Sequence, residues 1–456
     1  MILRTIISAL LFSVVILSLT CNNKPTIPPD DKPKYTQCIS LTEEEIGVTD
    51  VWLKVKFTDT TVNRSFKIVR DGQITFTGRI ITSTDTVLLD KNLLPNHIYK
   101  YKALRLLDTM AVDSALLDVP TMDITSHDFT WQVDTISTGS TCVVNDVFIV
   151  NDTCVYIVGQ LNELDSLGKK KGGVYGVCIW NGQKWKTVKL NDEQNDPIVP
   201  LRGITVFGNT DIWFAAGSVY RWDGVSSQAT LSISRLTLPN ANATIEKIWG
   251  RSNSDIYGVG TEGTIIHYDG TNWQLMESGT DVNLTDVWGS PDGSVVWAAG
   301  YYDDKAGTYL FKYDGTNWKM MYDGTSSRSH LTPDSISGVI TSVWTNSNDK
   351  VYVGAGAGIF LCEAKANWKS RLVTPFGWLR TLPHRIRGND INDMFIVGTY
   401  GFIGHYNGST CKEYPQFYSN KNLIYSVAQK GNLVVAGGIT FGDFVFNKAV
   451  VFIGRR

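Results

Sequence analysis

The chain has 456 residues, 43% of them apolar and 19% charged, with a formal net charge of −2. This is ample apolar material for two cored domains, and the composition argues against a disordered or fibrous class. No basic cluster exceeds Lys169, Lys170 and Lys171, which argues against nucleic acid as a partner, because phosphate binding needs a concentrated positive stripe.

Residues 1–21, MILRTIISALLFSVVILSLTC, carry one Arg, an apolar run too short to span a bilayer, and a terminal Cys. They read as an export signal and are set aside from fold reasoning. The ending Leu-Ser-Leu-Thr-Cys resembles the bacterial lipobox, and this resemblance implies cleavage before Cys21, diacylation of its thiol and membrane attachment through the lipid. Asn22 stands where Asp would imply inner-membrane retention, so the expected location is the cell envelope, at the outer membrane. Residues 22–37 are polar and Pro-rich without apolar periodicity, the composition of an extended tether.

Residues 38–124 carry strand-like runs, among them VWLKVKF, SFKIVRD, QITFTGRI, DTVLLD, IYKYKALRLL and MAVDSALLDV, separated by turns as in a small β-sandwich. The phrase LLPNHIYKYKA resembles the corner of fibronectin type III domains, with Leu93, Pro95, Tyr99 and Tyr101 at matching places. The resemblance implies that the Tyr99 hydroxyl bonds nearby backbone. His97 reads as a solvated loop residue.

Residues 127–456 repeat one phrase, cleanest as DIYGVGTEGTIIHYDGTNW from Asp255 to Trp273. Aligning its middle glycine gives Gly159, Gly217, Gly260, Gly300, Gly356, Gly398 and Gly437, spaced 58, 43, 40, 56, 42 and 39 residues apart. About 40 to 45 residues suit a four-stranded propeller blade, and the longer steps hold insertions. The expected fold is all-β, a fibronectin type III-like sandwich followed by a seven-bladed β-propeller. The last repeat lacks its outer strand, and Phe129–Ser137, with Trp131 in register, is expected to supply it beside Lys448–Ile453 and close the ring. The region resembles bacterial envelope propellers built from tandem W-G-x-x-x-x-D-I-Y-x-V-G copies, and more distantly the Asp-box repeats of sialidases. Asp269, Asp314 and Asn407 read as hairpin-turn residues. Trp249, Trp288 and Trp344 share one repeat position and read as interblade packing rather than a stacking platform.

Removing Cys21 leaves six cysteines, and Cys154 with Cys178 is the preferred disulfide, on what should be adjacent strands. No C-x-x-C spacing is present. His267 and His405 share a repeat position with Lys312, a swap that a metal site would not tolerate, so neither metal nor cofactor is expected.

The turns of one propeller face are short, while the insertions fall on the other, where recognition residues accumulate. Ligand-binding candidates there are Tyr301, Tyr302, Phe376, Trp378, Arg380, His384, Tyr400 and Phe441; pinning of long loops is the competing role. Arg202, Arg380, Arg385 and Arg387 are present, but no repeat phase sets three around one channel. The favoured expectation is a noncatalytic cell-surface lipoprotein that presents a propeller for protein or glycan binding. The alternative is an envelope carbohydrate-active hydrolase, sialidase-like, with catalytic groups on the insertion face.

Overall fold

The computed structural model describes residues 37–456 apart from 60–63, 140, 165–169, 239, 241, 303–306, 325–335, 337, 349, 364–368, 376, 380 and 443–446. Cys21, Phe376 and Arg380 lie outside the described residues. The described residues divide into two compact units, residues 37–42 with Lys54–Val87 and Lys100–Leu117, and Glu43–Leu53 with Leu88–Tyr99 and Asp118–Arg456.

Between Ile39 and Pro120 the strands form two sheets. One has three strands in the order Ile39–Ile46, Asp50–Phe57, Asp85–Lys91; the other has four, in the order Gln73–Arg79, Ser65–Arg70, Ile98–Leu107, Met110–Pro120. Val51, Leu53, Val55 and Phe57 alternate into a buried row, the period-2 pattern of a half-buried strand. Strand Ile39–Ile46 departs from the sequence expectation: after Leu41, Glu43, Glu44 and Glu45 break the apolar alternation that would announce it. The Tyr99 hydroxyl accepts the Leu94 backbone N–H at 2.7 Å, as the corner resemblance implied.

From Thr130 onward the described residues form seven four-stranded sheets. Their innermost strands are Val143–Asn151, Gly203–Gly208, Ile245–Ser252, Asn283–Gly289, Ser342–Trp344, Pro383–Asp390 and Asn422–Lys430. Each touches the next, and the seventh touches the first, so the sheets are the blades of a closed β-propeller. Closure comes from strand Thr130–Gly139, which pairs antiparallel with Asn447–Arg455 as the fourth strand of the last blade. Trp131 falls opposite Gly454, and its indole packs in the space a Cβ there would need. Thr130–Gly139 and Asn447–Arg455 are thus neighbours in one sheet, which leaves no open edge between first and last blades.

The apolar core is divided among seven seams, each shared by neighbouring blades. In the third blade, Ile256 packs toward the second and Tyr257 with Val259 toward the fourth. Both faces of these strands are buried, which is why they read as nearly continuous apolar runs. Trp249 sits in such a seam; a Cβ on Gly289 of the adjacent blade would lie 2.2 Å from its ring, so the Trp row packs blades together.

The repeat glycines have a steric cause. A Cβ at Gly159, Gly260, Gly398 or Gly438 would lie 2.1, 1.6, 2.3 or 2.0 Å from the carbonyl oxygen at the start of the inner strand. In the last blade this role belongs to Gly438 rather than Gly437. The Asp-Gly turns are equally regular: Asn181, Asp223, Asp269, Asp314 and Asn407 each accept the backbone N–H groups two and three residues on. The glycine after each adopts positive φ.

The expected Cys154–Cys178 disulfide is corrected. Both are free thiols. Cys178 pairs with Ile157, three residues along from Cys154. Cys154 packs into the seam toward the second blade and Cys178 into the seam toward the seventh, so their side chains leave opposite faces of one sheet.

Candidate binding cavity at the ring axis

Five inner strands contain a register shift that skips one residue: Asn145, Glu246, Thr285, His384 and Tyr425. Arg202 and Thr341 stand at the equivalent place just before the strands of the second and fifth blades. A bulge sets two successive residues against one on the partner strand, so consecutive side chains can both serve the axis. The seven residues at this position all border one cavity of about 670 Å³, joined by Thr244, Thr261, Asn283, Leu284, Tyr301 and Arg385. Tyr301 and Thr261 mark it as opening on the insertion face.

Much of this rim ties blade to blade. Asn145 donates to the Leu201 carbonyl at 2.8 Å, Thr341 to that of Pro383 at 2.8 Å, and Arg202 to the Glu246 carboxylate at 2.7 Å. The His384 ring contacts the Ile424 carbonyl through Nδ1 at 2.9 Å and stacks on Tyr425. That acceptor requires the proton on Nδ1 and leaves Nε2 as the acceptor in the neutral ring. Burial lowers the His384 pKa, with the Ile424 carbonyl opposing, so the neutral form is favoured at neutral pH.

Below the rim is a buried charged layer. Asp146 accepts the backbone N–H of Ile204 at 3.1 Å and the Ser426 hydroxyl at 2.7 Å, and pairs with Lys247. Asp286 repeats this across the ring: it accepts the backbone N–H of Val343 at 3.0 Å, the Ser342 hydroxyl at 2.6 Å and both terminal nitrogens of Arg387 at 3.0 and 2.8 Å. Arg385 also pairs with Asp286. Burial pushes the Asp286 carboxyl up, but Arg385 and Arg387 override it and hold it well below the usual carboxylate range. A second cavity, of about 290 Å³, lies beyond this layer and is lined by Asp146, Lys247, Trp249, Trp288, Arg387 and others.

Three arginines, Arg385 and Arg387 in an inner strand and Arg202 just before one, therefore do stand around the axis, contrary to the expectation from repeat phase. Their duties differ: Arg387 is committed to Asp286, Arg202 to Glu246, and Arg385 borders the cavity.

Among the candidates, Tyr301 and His384 come together at the cavity. Tyr302 donates to Asp281 and packs edge-on against Tyr309, while Trp378 packs on Phe402 and fills the space over Gly404. These two hold loops to the body. Tyr400, at positive φ, and Phe441 are exposed. Sequence reading missed Asn145, Glu246 and Tyr425. Their signal was a polar or bulky interruption at one place in otherwise apolar strands: Asn-Asp, Glu-Lys, Thr-Asp, His-Arg, Tyr-Ser.

No protein-family model matches the chain. It is 45% identical over 65 residues to the Immune protein Tsi7 of Pseudomonas aeruginosa, a stretch spanning 14% of this chain and 20% of that protein. The structure of YCF48 bound to D1 peptide aligns at 14% identity and TM-score 0.51, covering 73% of this chain and 100% of that one. YCF48 from Cyanidioschyzon merolae aligns at 13% identity and TM-score 0.48, over 71% and 98%. The former likeness establishes a shared propeller fold and nothing finer.

Proposed function

We propose that this chain is a lipid-anchored envelope protein whose β-propeller is a noncatalytic binding scaffold for protein, with its site at the ring-axis cavity of the insertion face. The observation that carries the reading is that cavity, to which all seven blades contribute polar or aromatic side chains on a rigid frame. A propeller of the same fold that is known bound to a peptide supports a peptide or protein ligand. Against hydrolysis, Glu246 is engaged by Arg202 and Thr244, and Tyr425 is stacked on His384. The lipobox-like ending at Cys21 supports the anchor, and the two N-terminal sheets with the Tyr99 corner bond support a fibronectin type III-like spacer.

Panning a random peptide library on the full-length chain tests the binding reading. Enrichment is expected on the native protein and lost on a Tyr301→Ala/His384→Ala variant that retains its melting temperature. Equal enrichment on both, or enrichment only on a glycan array, refutes it. Metabolic labelling with a palmitate analogue, lost in Cys21→Ser, tests the anchor.

A further inference from the structure

We propose that the axial cavity is an anion pocket which takes a carboxylate of a bound peptide, from its C-terminus or from an acidic side chain, on Arg385. The inference deepens the protein-binding reading above and rests on it.

The charged groups around the axis do not balance. Among the described residues, the buried layer holds three cations, Lys247, Arg385 and Arg387, against two carboxylates, Asp146 and Asp286. On the rim, Arg202 and Glu246 cancel each other. The surplus is also one of hydrogen-bond donors. Each Asp286 oxygen already serves two or more: Oδ1 accepts from the Val287 N–H and Arg387 Nη2, and Oδ2 from Ser342, the Val343 N–H and Arg387 Nη1. Asp146 is taken by Ile204, Ser426 and Lys247. Arg385 spends Nη1 on its ion pair with Asp286, yet its buried Nε has no hydrogen-bond partner.

Arg385 is 9% exposed and borders the cavity. A buried guanidinium with an unmet N–H is costly, and a carboxylate supplies both the missing acceptor and the balancing charge. The Lys247 amine reflects the same excess: burial, reinforced by Arg385 and Arg387 against the pull of Asp146, pushes it down to about 8. The rim supplies neutral partners in Asn145, Thr285 and His384. A volume of about 670 Å³ suits a chain end or one side chain with its neighbours, not a folded surface.

The test is calorimetric titration of the full-length chain at low salt with three capped probes and one ion. The probes are acetyl-tetraglycine with a free carboxylate, the same peptide as its amide, and acetyl-Gly-Asp-Gly amide; the ion is inorganic phosphate. Both acids are expected to bind at least tenfold more tightly than the tetraglycine amide. Arg385→Met should erase that difference without lowering the melting temperature, since it removes the unbalanced charge. Should that variant fail to fold, Arg385→Lys, which keeps the charge but loses the fork, is expected to bind the acids at intermediate strength.

Equal binding of acids and amide, acids bound by Arg385→Met as by the native protein, or no binding of any probe overturns the proposal. Phosphate binding without carboxylate binding overturns it in favour of a free-oxyanion site. Library enrichment that depends on Tyr301 and His384 but survives Arg385→Met ends this inference and leaves the protein-binding reading standing.

Discussion

Replacing Asp286 by Ala removes the carboxylate that joins the fourth blade to the fifth and sixth. The residue is fully buried, and it accepts hydrogen bonds from Ser342, the Val343 N–H and both terminal nitrogens of Arg387. Deletion leaves two buried guanidiniums, Arg385 and Arg387, with only Asp146 as a carboxylate nearby, and strands the Ser342 and Val343 donors. Breaking one partner out of a buried ion pair costs about 3–5 kcal/mol, a large share of the roughly 5–15 kcal/mol that holds a typical protein folded. Urea unfolding followed by tryptophan fluorescence should show a loss of unfolding free energy of that size, read as a lower midpoint at unchanged m. The companion variant Arg387→Met separates causes: combined with Asp286→Ala it should cost less than the sum of the single changes, because one of the two stranded charges is gone. A loss below about 1 kcal/mol for Asp286→Ala, or additive behaviour in the pair, would refute the view that this carboxylate staples the ring.

Three other outcomes follow from the geometry. His127 and His405 face each other through Nδ1 at 2.7 Å, and His405 Nε2 meets Asp393 at 2.8 Å, so a neutral His127 must donate to a neutral His405. Burial first and His405 second pull the His127 pKa down to about 4, so the unfolded chain binds the extra proton and stability should fall as pH drops from about 6.5 toward 4. Solvent screening at this half-exposed ring limits its share to about 1–2 kcal/mol, and urea midpoints of native and His127→Gln proteins at pH 7 and 4.5 check it by a flatter profile in the variant. Gly260→Ala should cost about 3 kcal/mol, since its Cβ would meet the Thr244 carbonyl oxygen at 1.6 Å, while Gly208→Ala, with nothing within 4 Å, should stay within about 0.5 kcal/mol by thermal melting. Six thiols besides Cys21 should titrate in the unfolded protein without reductant, and reduction should leave its electrophoretic mobility unchanged.

The ring was legible because its grammar is local. Asp-Gly turns, alternating apolar strands and a glycine pressed against a carbonyl each declare themselves within a few residues, and seven copies make the count. Closure was legible too, since Trp131 carries the same strand signature as Trp273 and Trp318 from the far end of the chain. What the pattern hid is set by pairing across strands. Cys154 and Cys178 lie on neighbouring strands, but only register and face reveal that they point into different seams.

The axial site was hidden for the same reason. A skipped residue in an inner strand changes which side chain reaches the axis, and no single repeat shows the skip. Compared across blades, however, Asn145-Asp146, Glu246-Lys247, Thr285-Asp286 and His384-Arg385 occupy one structural position, and that stacking turns scattered polar interruptions into two layers. The lower layer is largely consumed in joining blades, because its carboxylates bond the backbone of the next blade. Arg385 and Arg387 share Asp286 but use it differently: Arg387 spends both terminal nitrogens on it, whereas Arg385 reaches it through Nη1 and keeps Nε unmet beside the cavity. The repeat therefore builds the scaffold, and the one cation that breaks its charge balance is where a ligand has something to gain.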